Sequence, residues 1–248
     1  MANALTAARV VLIFIVIAVW SRDRVVENVW LDLAMVPLLA WAIFMDALDG
    51  WAARKFHEES KVGALFDIAG DRIVELALWT FFAIRRDASG EHFVAYWVPI
   101  VILTRTILTD MIRSAAFGEG KTAFGTDGMQ SSRWALQLTA SRWSRGLYGG
   151  LKAVCFCALG LLLAWPYLRA GSELGGIARQ LVDLLVYATV VFAIVRAVPV
   201  LWEGRRYVVP VRGAGRDTTR SQAFGLPSPA VTNAPAMKGS SFHAEDAE

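Results

Sequence analysis

Four aspartates lie close together in the sequence, within or at the edge of apolar segments. They form two pairs, with Asp46 three residues before Asp49 and Asp67 four residues before Asp71. Residues at these spacings share one face of a helix, so two helices joined by a short turn could point all four carboxylates at one place. Such a group of anions requires counter-cations. Hard oxygen ligands in this number suit one or two ions of Mg²⁺, Mn²⁺ or Ca²⁺.

The sequence around these aspartates is strongly apolar. The stretch LAMVPLLAWAIFM precedes the first pair, and IVELALWTFFAI follows the second. A carboxylate at membrane depth is costly, which makes it a candidate functional residue. The small residues Gly50, Ala53 and Gly63 allow a flat ligand or a second backbone to approach closely. Arg54 adds a planar guanidinium that suits a phosphate group.

The stretch from Asp46 to Asp71 resembles the signature of the CDP-alcohol phosphatidyltransferase family, D-x2-D-G-x2-A-R-x8-G-x3-D-x3-D. All fixed positions agree, namely Asp46, Asp49, Gly50, Ala53, Arg54, Gly63, Asp67 and Asp71. Eight fixed positions coincide by chance about once in 10^9 trials or fewer at typical residue frequencies. The resemblance implies an enzyme of phospholipid biosynthesis. It would transfer a phosphatidyl group from CDP-diacylglycerol to the hydroxyl of a small polar alcohol and release CMP.

The resemblance also implies a binding site with two parts. The four aspartates would hold the cofactor, two ions of Mg²⁺ or Mn²⁺. Asp71, the last in the motif, is also the predicted base for the acceptor hydroxyl. The CDP group would be bordered by Asp49, Gly50, Ala53, Arg54 and Gly63.

The first residues of the chain add to this predicted site. Asn3, Leu5, Thr6 and Arg9 match the N-x-L-T-x-x-R opening of many family members, which lies along the cytosolic surface near the nucleotide site. We therefore predict that Asn3 and Thr6 border the CDP group. The alternative is a plain helix cap at Asn3 or Thr6, followed by an arginine that obeys the positive-inside rule.

Composition points to a membrane protein. The chain has 248 residues, of which 56% are hydrophobic, and its mean hydropathy is +0.44. Soluble domains are about 45–50% apolar. The net charge of +3 says little about partners, and we expect no nucleic-acid partner. The predicted fold is an all-α integral membrane bundle of six transmembrane helices with an amphipathic start.

The six predicted spans are residues 5–20, 29–51, 63–84, 93–112, 147–165 and 181–202. The polar connection 113–146 is long enough to be functional, although its GEGK segment does not match a phosphate-binding loop. Residues 1–204 would form the membrane domain. The tail, 205–248, is rich in small and polar residues and is predicted to be disordered and cytosolic. Cys155 and Cys157 are predicted to be unpaired, since they point to different faces of a helix.

Loop charges predict the orientation of the bundle. The segments on the side of the two termini carry 15 Lys and Arg residues, and those on the other side carry 6. The positive-inside rule therefore places both termini and the aspartates at the cytosolic face. The resemblance agrees, because CDP-linked lipids and soluble alcohols are used from that side. We expect a homodimer in a bacterial-type inner membrane.

Basic residues near the long connection bear on the identity of the acceptor. Arg105, Arg113 and Lys152 lie at or within the ends of the fourth and fifth predicted spans. Cations at this depth could bind a phosphate group on the acceptor, or they could snorkel or pair with Glu75 and Asp110. If they bind phosphate, glycerol 3-phosphate is the first choice of acceptor, and the enzyme resembles a phosphatidylglycerophosphate synthase. Inositol phosphate is the next choice, followed by serine, inositol or choline.

Two other classes of function would also place carboxylates in a membrane. A cation or proton transporter explains the aspartates, but it does not explain the fixed glycines, alanine and arginine of the motif. A non-catalytic assembly protein would leave the complete motif without a role. We therefore favour the transferase over both alternatives.

Overall fold

A computed structural model describes residues 2–22, 28–56, 61–87, 90–118, 136–165 and 173–208. These residues form helices and, between Arg86 and His92, one isolated antiparallel bridge, with no strand among them. The all-α character predicted from the sequence is confirmed. The helices are α1 (Ala2–Trp20), α2 (Val29–Phe56), α3 (Lys61–Ile84), α4 (Trp97–Gly118), a short π-helical segment (Leu136–Ala140), α5 (Arg142–Ala164) and α6 (Glu173–Val208).

Two of the described helices are long and apolar enough to cross a membrane. Their apolar segments are Trp143–Ala164 in α5 and Glu173–Arg205 in α6. Shorter apolar stretches, Ala4–Trp20 and Val29–Met45, lie in α1 and α2. The predicted spans in α3 and α4 contain several charged side chains. For these helices, length and composition alone do not indicate a membrane span.

The outward face of α4 is apolar along its length. Ile100, Leu103, Ile107 and Met111 are exposed, and their spacing places them along one side of the helix. The other side buries Ile102 in the core. An extended apolar stripe of this kind is unfavourable in water. It fits contact with lipid, in agreement with the membrane location predicted from composition.

Helix α5 begins before the predicted span. Its first residue is Arg142 rather than residue 147. The reason is a cap at Ser141, whose Oγ accepts a hydrogen bond from the backbone N–H of Ser144 at 3.1 Å. Such a cap satisfies a backbone donor that would otherwise have no helical partner. Cys155 and Cys157 lie in α5 and are unpaired, as predicted.

Helix α6 is longer at both ends than its predicted span. It has 36 residues and begins inside the segment 166–180, which was predicted as a loop. Gly175 and Gly176 lie in its first turn, although glycine disfavours a helix by about 1 kcal/mol relative to alanine. The helix continues past the predicted domain boundary at residue 204. Residues 119–135, which include all of the GEGK segment except Gly118, and 209–248 lie outside the described residues, so expectations about them stay predictions.

The helices pack around an aromatic core. Helix α1 contacts α2 and α3, α2 contacts α5, α3 contacts α4, and α6 contacts both α4 and α5. The ring centroid of Trp20 lies 6.2 Å from that of Phe81, and Trp79 packs edge-on against Phe156 at 4.8 Å. A Cβ atom at Gly160 would lie 2.5 Å from Cη2 of Trp20. The indole of Trp20 can therefore pack there only against a glycine.

A single arginine ties α6 to the segment that follows α3. Arg179 Nη1 lies 3.2 Å from Asp87 Oδ2, and its Nη2 donates to the backbone oxygen of His92 at 2.5 Å. Its Nε lies 3.1 Å from Asp183 Oδ1 within α6. We call this set of contacts the Arg179 clamp. It lies at the C-terminal end of α3, whereas Asp67 and Asp71 lie toward the N-terminal end.

Candidate active site

The start of α1 lies directly against α3 beside the second pair of aspartates. The contact is centred on Gly70. This residue is buried, and in the sequence it lies between Asp67 and Asp71. A Cβ atom at Gly70 would lie 2.6 Å from Thr6 Cγ2 and 3.3 Å from Arg9 Nη2. Only glycine leaves room for this close approach. The two helices therefore bring Thr6 and Arg9 beside the aspartates.

Arg9 contacts both of these aspartates. Its Nη2 lies 2.8 Å from Asp71 Oδ1 and 3.6 Å from Asp67 Oδ1, and its side chain is 2% exposed. The side chain of Thr6, also buried, hydrogen-bonds to Asp67. The aspartate side chains themselves are 44% and 46% exposed. Helix α1 thus contacts the two carboxylates on one side. On their other side the carboxylates remain accessible to a ligand.

The described carboxylates have donor chemistry that fits a divalent cation. Asp67 and Asp71 lie on one face of α3, as their spacing predicted. Asp67 Oδ1 is buried and makes no hydrogen bond to the described residues. Carboxylate oxygens of this kind are the ligands that Mg²⁺ and Mn²⁺ prefer. The described residues contain no group of three or more potential ligands, and the side chains of Asp46 and Asp49 lie outside them.

A second group of charges lies one turn further along α3 and centres on Glu75. The carboxylate of Glu75 is 3% exposed. It accepts hydrogen bonds from Tyr148 Oη at 2.8 Å and Lys152 Nζ at 3.1 Å. Arg72 Nη1 lies 3.8 Å from it. The buried acid is therefore paired with cations from α3 and α5, as a buried carboxylate must be.

The ring of Tyr148 lies among three cationic side chains. Lys152 Nζ is 4.8 Å from the ring centroid, and the guanidinium carbons of Arg196 and Arg105 are 5.3 Å and 5.4 Å from it. These distances are within the range of cation–π attraction. One aromatic ring thus brings together basic residues from α4, α5 and α6.

The remaining acid of this region is Asp110, in α4. Its Oδ1 lies 3.2 Å from Arg72 Nη2 and 3.5 Å from Arg113 Nη1. Together these contacts define what we call the basic cluster. Its members have five positive charges, against the two negative charges of Glu75 and Asp110. They are Arg72, Arg105, Arg113, Lys152 and Arg196.

The structure brings together the three basic residues singled out from the sequence. Arg113 and Lys152 pair with Asp110 and Glu75 respectively, which is the structural alternative given above. Arg105 Nε donates to the backbone oxygen of Ala193 at 3.3 Å. Each therefore has a partner within the protein, yet among the described residues the cluster keeps an excess of positive charge. Their role in binding an acceptor stays a prediction.

The structure adds contacts that sequence reasoning missed. Tyr148 was not singled out, although it lies four residues before Lys152 and therefore on the same helix face. Arg196 lies within the last predicted span and was not assigned to the acceptor site. Its guanidinium donates to the backbone oxygens of Ser144 and, at 3.4 Å, of Thr139. These contacts depend on how α5, α6 and the π-helical segment meet.

Most residues predicted to border the CDP group cannot be placed. The side chains of Asn3, Ala53 and Arg54 and the surroundings of Gly50 lie outside the described residues, as does the side chain of Asp49. Gly63 is described and lies at the start of α3, on the same side as Asp67 and Gly70 by its helical spacing. Thr6 lies beside Asp67, which is compatible with the position predicted for it.

Comparison with known proteins was made for the whole chain. A family model described as CDP-alcohol phosphatidyltransferase matches residues 1–195. The match extends from α1 into α6 and includes both aspartate pairs and four of the five members of the basic cluster. A search of curated proteins found no match.

Proposed function

We propose, from the premise that this chain belongs to the CDP-alcohol phosphatidyltransferase family, that its acceptor is glycerol 3-phosphate. The family consists of membrane-embedded phosphotransferases for substituted phosphate groups that act in phospholipid synthesis. They use a CDP-alcohol substrate and are generally dependent on divalent metal. The choice of acceptor makes the chain similar to a phosphatidylglycerophosphate synthase. The observation that supports this acceptor is the basic cluster beside the aspartates.

We assign the reaction to the face of α3 that bears the aspartates. The acceptor hydroxyl oxygen forms a bond to the lipid-side phosphorus of CDP-diacylglycerol. The bond from that phosphorus to the bridging oxygen breaks, and CMP leaves with the electron pair. Asp71 takes the hydroxyl proton on its carboxylate. The sum is a phosphatidyl ester of the acceptor, CMP and one proton.

The other site residues bind and orient the substrates. Asp46, Asp49 and Asp67 would be the main metal ligands, with Asp71 as a further one. Two divalent ions, when bound, neutralise the pyrophosphate and polarise its phosphorus. Thr6 and Arg9 hold the carboxylates of α3 in place from the α1 side. The CDP group would be bordered by Asn3, Thr6, Asp49, Gly50, Ala53, Arg54 and Gly63.

The excess charge of the basic cluster supports an anionic acceptor. Two carboxylates offset only part of five positive charges, and partly buried cations without enough counter-charge are costly. A phosphate group on the acceptor would supply the missing negative charge and accept charge-assisted hydrogen bonds. Inositol phosphate would do so equally, whereas serine, inositol and choline would not.

Removing a cation from the basic cluster should weaken the binding of the acceptor alone. Arg113→Ala is the best test, because Arg113 is 33% exposed and its partner Asp110 also contacts Arg72. A charge-assisted contact to phosphate contributes about 1.5–3 kcal/mol. We therefore expect KM for glycerol 3-phosphate to rise about 10- to 150-fold, with KM for CDP-diacylglycerol nearly unchanged.

The control for this variant is Arg86→Ala. Arg86 is exposed, lies beyond the C-terminal end of α3 and bonds only locally to the backbone of Gly90 at 2.7 Å. Release of labelled CMP gives both KM values in one preparation, and the same assay screens other acceptors. A best acceptor without phosphate would overturn the choice of glycerol 3-phosphate. Failure to release CMP with any alcohol would contradict the transferase itself.

We also propose six spans with both termini and the aspartates on the cytosolic side of a bacterial-type inner membrane, in a homodimer. The loop charges support this orientation, and the apolar outward face of α4 supports the membrane location. The homodimer is an expectation that these two features do not address. In a background in which Cys155 and Cys157 are replaced by alanine, Glu91→Cys should react with an impermeant maleimide added outside intact cells. Ser141→Cys should react only after the membrane is opened. Labelling of both positions from the same side would contradict the proposed topology.

A further inference from the structure

One nitrogen atom of Arg9 lies close to two carboxylates. Its Nη2 lies 2.8 Å from Asp71 Oδ1 and 3.6 Å from Asp67 Oδ1, and both acids belong to the predicted set of metal ligands. A guanidinium and a divalent cation are attracted to the same carboxylate oxygens. The position of Arg9 therefore bears on how tightly any cation binds there.

The surroundings of Arg9 keep its charge beside these acids. The side chain is 2% exposed, and it is packed at the contact where Gly70 meets α1. Moving the guanidinium away from Asp67 and Asp71 would separate a buried cation from two nearby negative charges, which is unfavourable. A divalent ion held by the same two aspartates would thus share them with Arg9 and lie a few ångströms from a fixed positive charge.

We propose that Arg9 is a positioning residue that holds Asp67 and Asp71 in place and lowers the affinity of the site for divalent cations. This inference rests on the proposed metal-binding role of these aspartates. Repulsion between a unit charge and a divalent ion at such distances remains substantial even with strong solvent screening. A site weakened in this way binds metal best when the anionic pyrophosphate of the substrate is also present.

A purely structural role for Arg9 makes a different prediction. In that case the contacts of Arg9 join α1 to α3, and their loss lowers the thermal midpoint without changing cation affinity. If Arg9 also competes with the metal, removing its charge lowers the midpoint but strengthens cation binding. Stability and affinity then move in opposite directions.

The test measures Mn²⁺ binding to the full chain in detergent, without nucleotide, from the electron paramagnetic resonance signal of free Mn²⁺. Arg9→Gln should bind Mn²⁺ at least about 10-fold more tightly than the wild type. Arg9→Met removes the same charge, keeps a long apolar stem, and serves if the glutamine variant does not fold. Arg9→Lys keeps the charge and should bind within about 3-fold of the wild type.

Arg179→Gln is the control, because Arg179 is also an ion-paired arginine, although it is 26% exposed and belongs to the clamp at the other end of α3. It should lower the thermal midpoint and leave Mn²⁺ affinity unchanged. Equal or weaker Mn²⁺ binding after removal of the Arg9 charge would overturn the inference while leaving the metal site intact. Absence of Mn²⁺ binding in every form, wild type included, would contradict the proposed metal mechanism and this inference with it.

Discussion

Asp67→Asn should lower turnover about 10^3-fold or more, and Asp46→Asn and Asp49→Asn should do the same. Each change removes a negative charge that holds divalent metal, and such preorganised electrostatic stabilisation supplies most of the rate enhancement. The structure adds a second cost at Asp67, because its neighbours Thr6 and Arg9 are oriented toward a carboxylate. The measurement is the rate of CMP release at saturating Mg²⁺.

A neighbouring exposed residue gives the control for this series. Ile68 follows Asp67 directly and is exposed, so Ile68→Ala should keep close to wild-type turnover. Chelation with excess EDTA should abolish activity in the wild type, and added Mg²⁺ or Mn²⁺ should restore it. Full activity in excess EDTA would exclude the proposed metal mechanism.

Asp71→Asn should abolish turnover and yet retain more CDP-diacylglycerol binding than Asp49→Asn. The asparagine cannot accept the hydroxyl proton, whereas loss of Asp49 removes a residue expected to contact both metal and nucleotide. Equilibrium binding of labelled CDP-diacylglycerol to each purified variant, beside CMP release, separates the two effects. Equal loss of binding in both variants would mean that Asp71 acts as a metal ligand rather than as the base.

Asp71→Asn also has a structural consequence that can be measured separately. Asp71 Oδ1 is the nearer of the two carboxylate partners of the buried Arg9. Loss of its charge removes a close counter-charge from this buried arginine, so the thermal midpoint should fall as well. Binding and turnover of this variant should therefore be measured at a temperature well below that midpoint.

Local features of the site could be predicted from the sequence. The spacing of Asp67 and Asp71 placed both on one face of α3, because a four-residue separation is only slightly more than one helical turn. The same principle would have placed Tyr148 beside Lys152. The family signature identified the reaction class, because all eight of its fixed positions match within the short stretch from Asp46 to Asp71. These predictions used only residues that are near each other in the chain.

Contacts between distant segments could not be predicted in this way. The approach of Arg9 to Asp71 depends on the meeting of α1 with Gly70, and a glycine in a helix does not indicate which partner it accommodates. The start of the last span was predicted near residue 181, whereas α6 begins at Glu173 and includes Gly175 and Gly176, which are unfavourable in an isolated helix. Tertiary packing overrides such propensities.

The Arg179 clamp has a mechanical consequence for the lipid substrate. It fixes α6 to the segment beyond the C-terminal end of α3, at the end remote from Asp67 and Asp71. If α3 and α6 separate when a substrate with two acyl chains docks, the clamp acts as the pivot. The displacement would then grow with distance from Arg179 and be largest beside the aspartates. Widening of the bundle would thereby be confined to the end that carries the proposed active site.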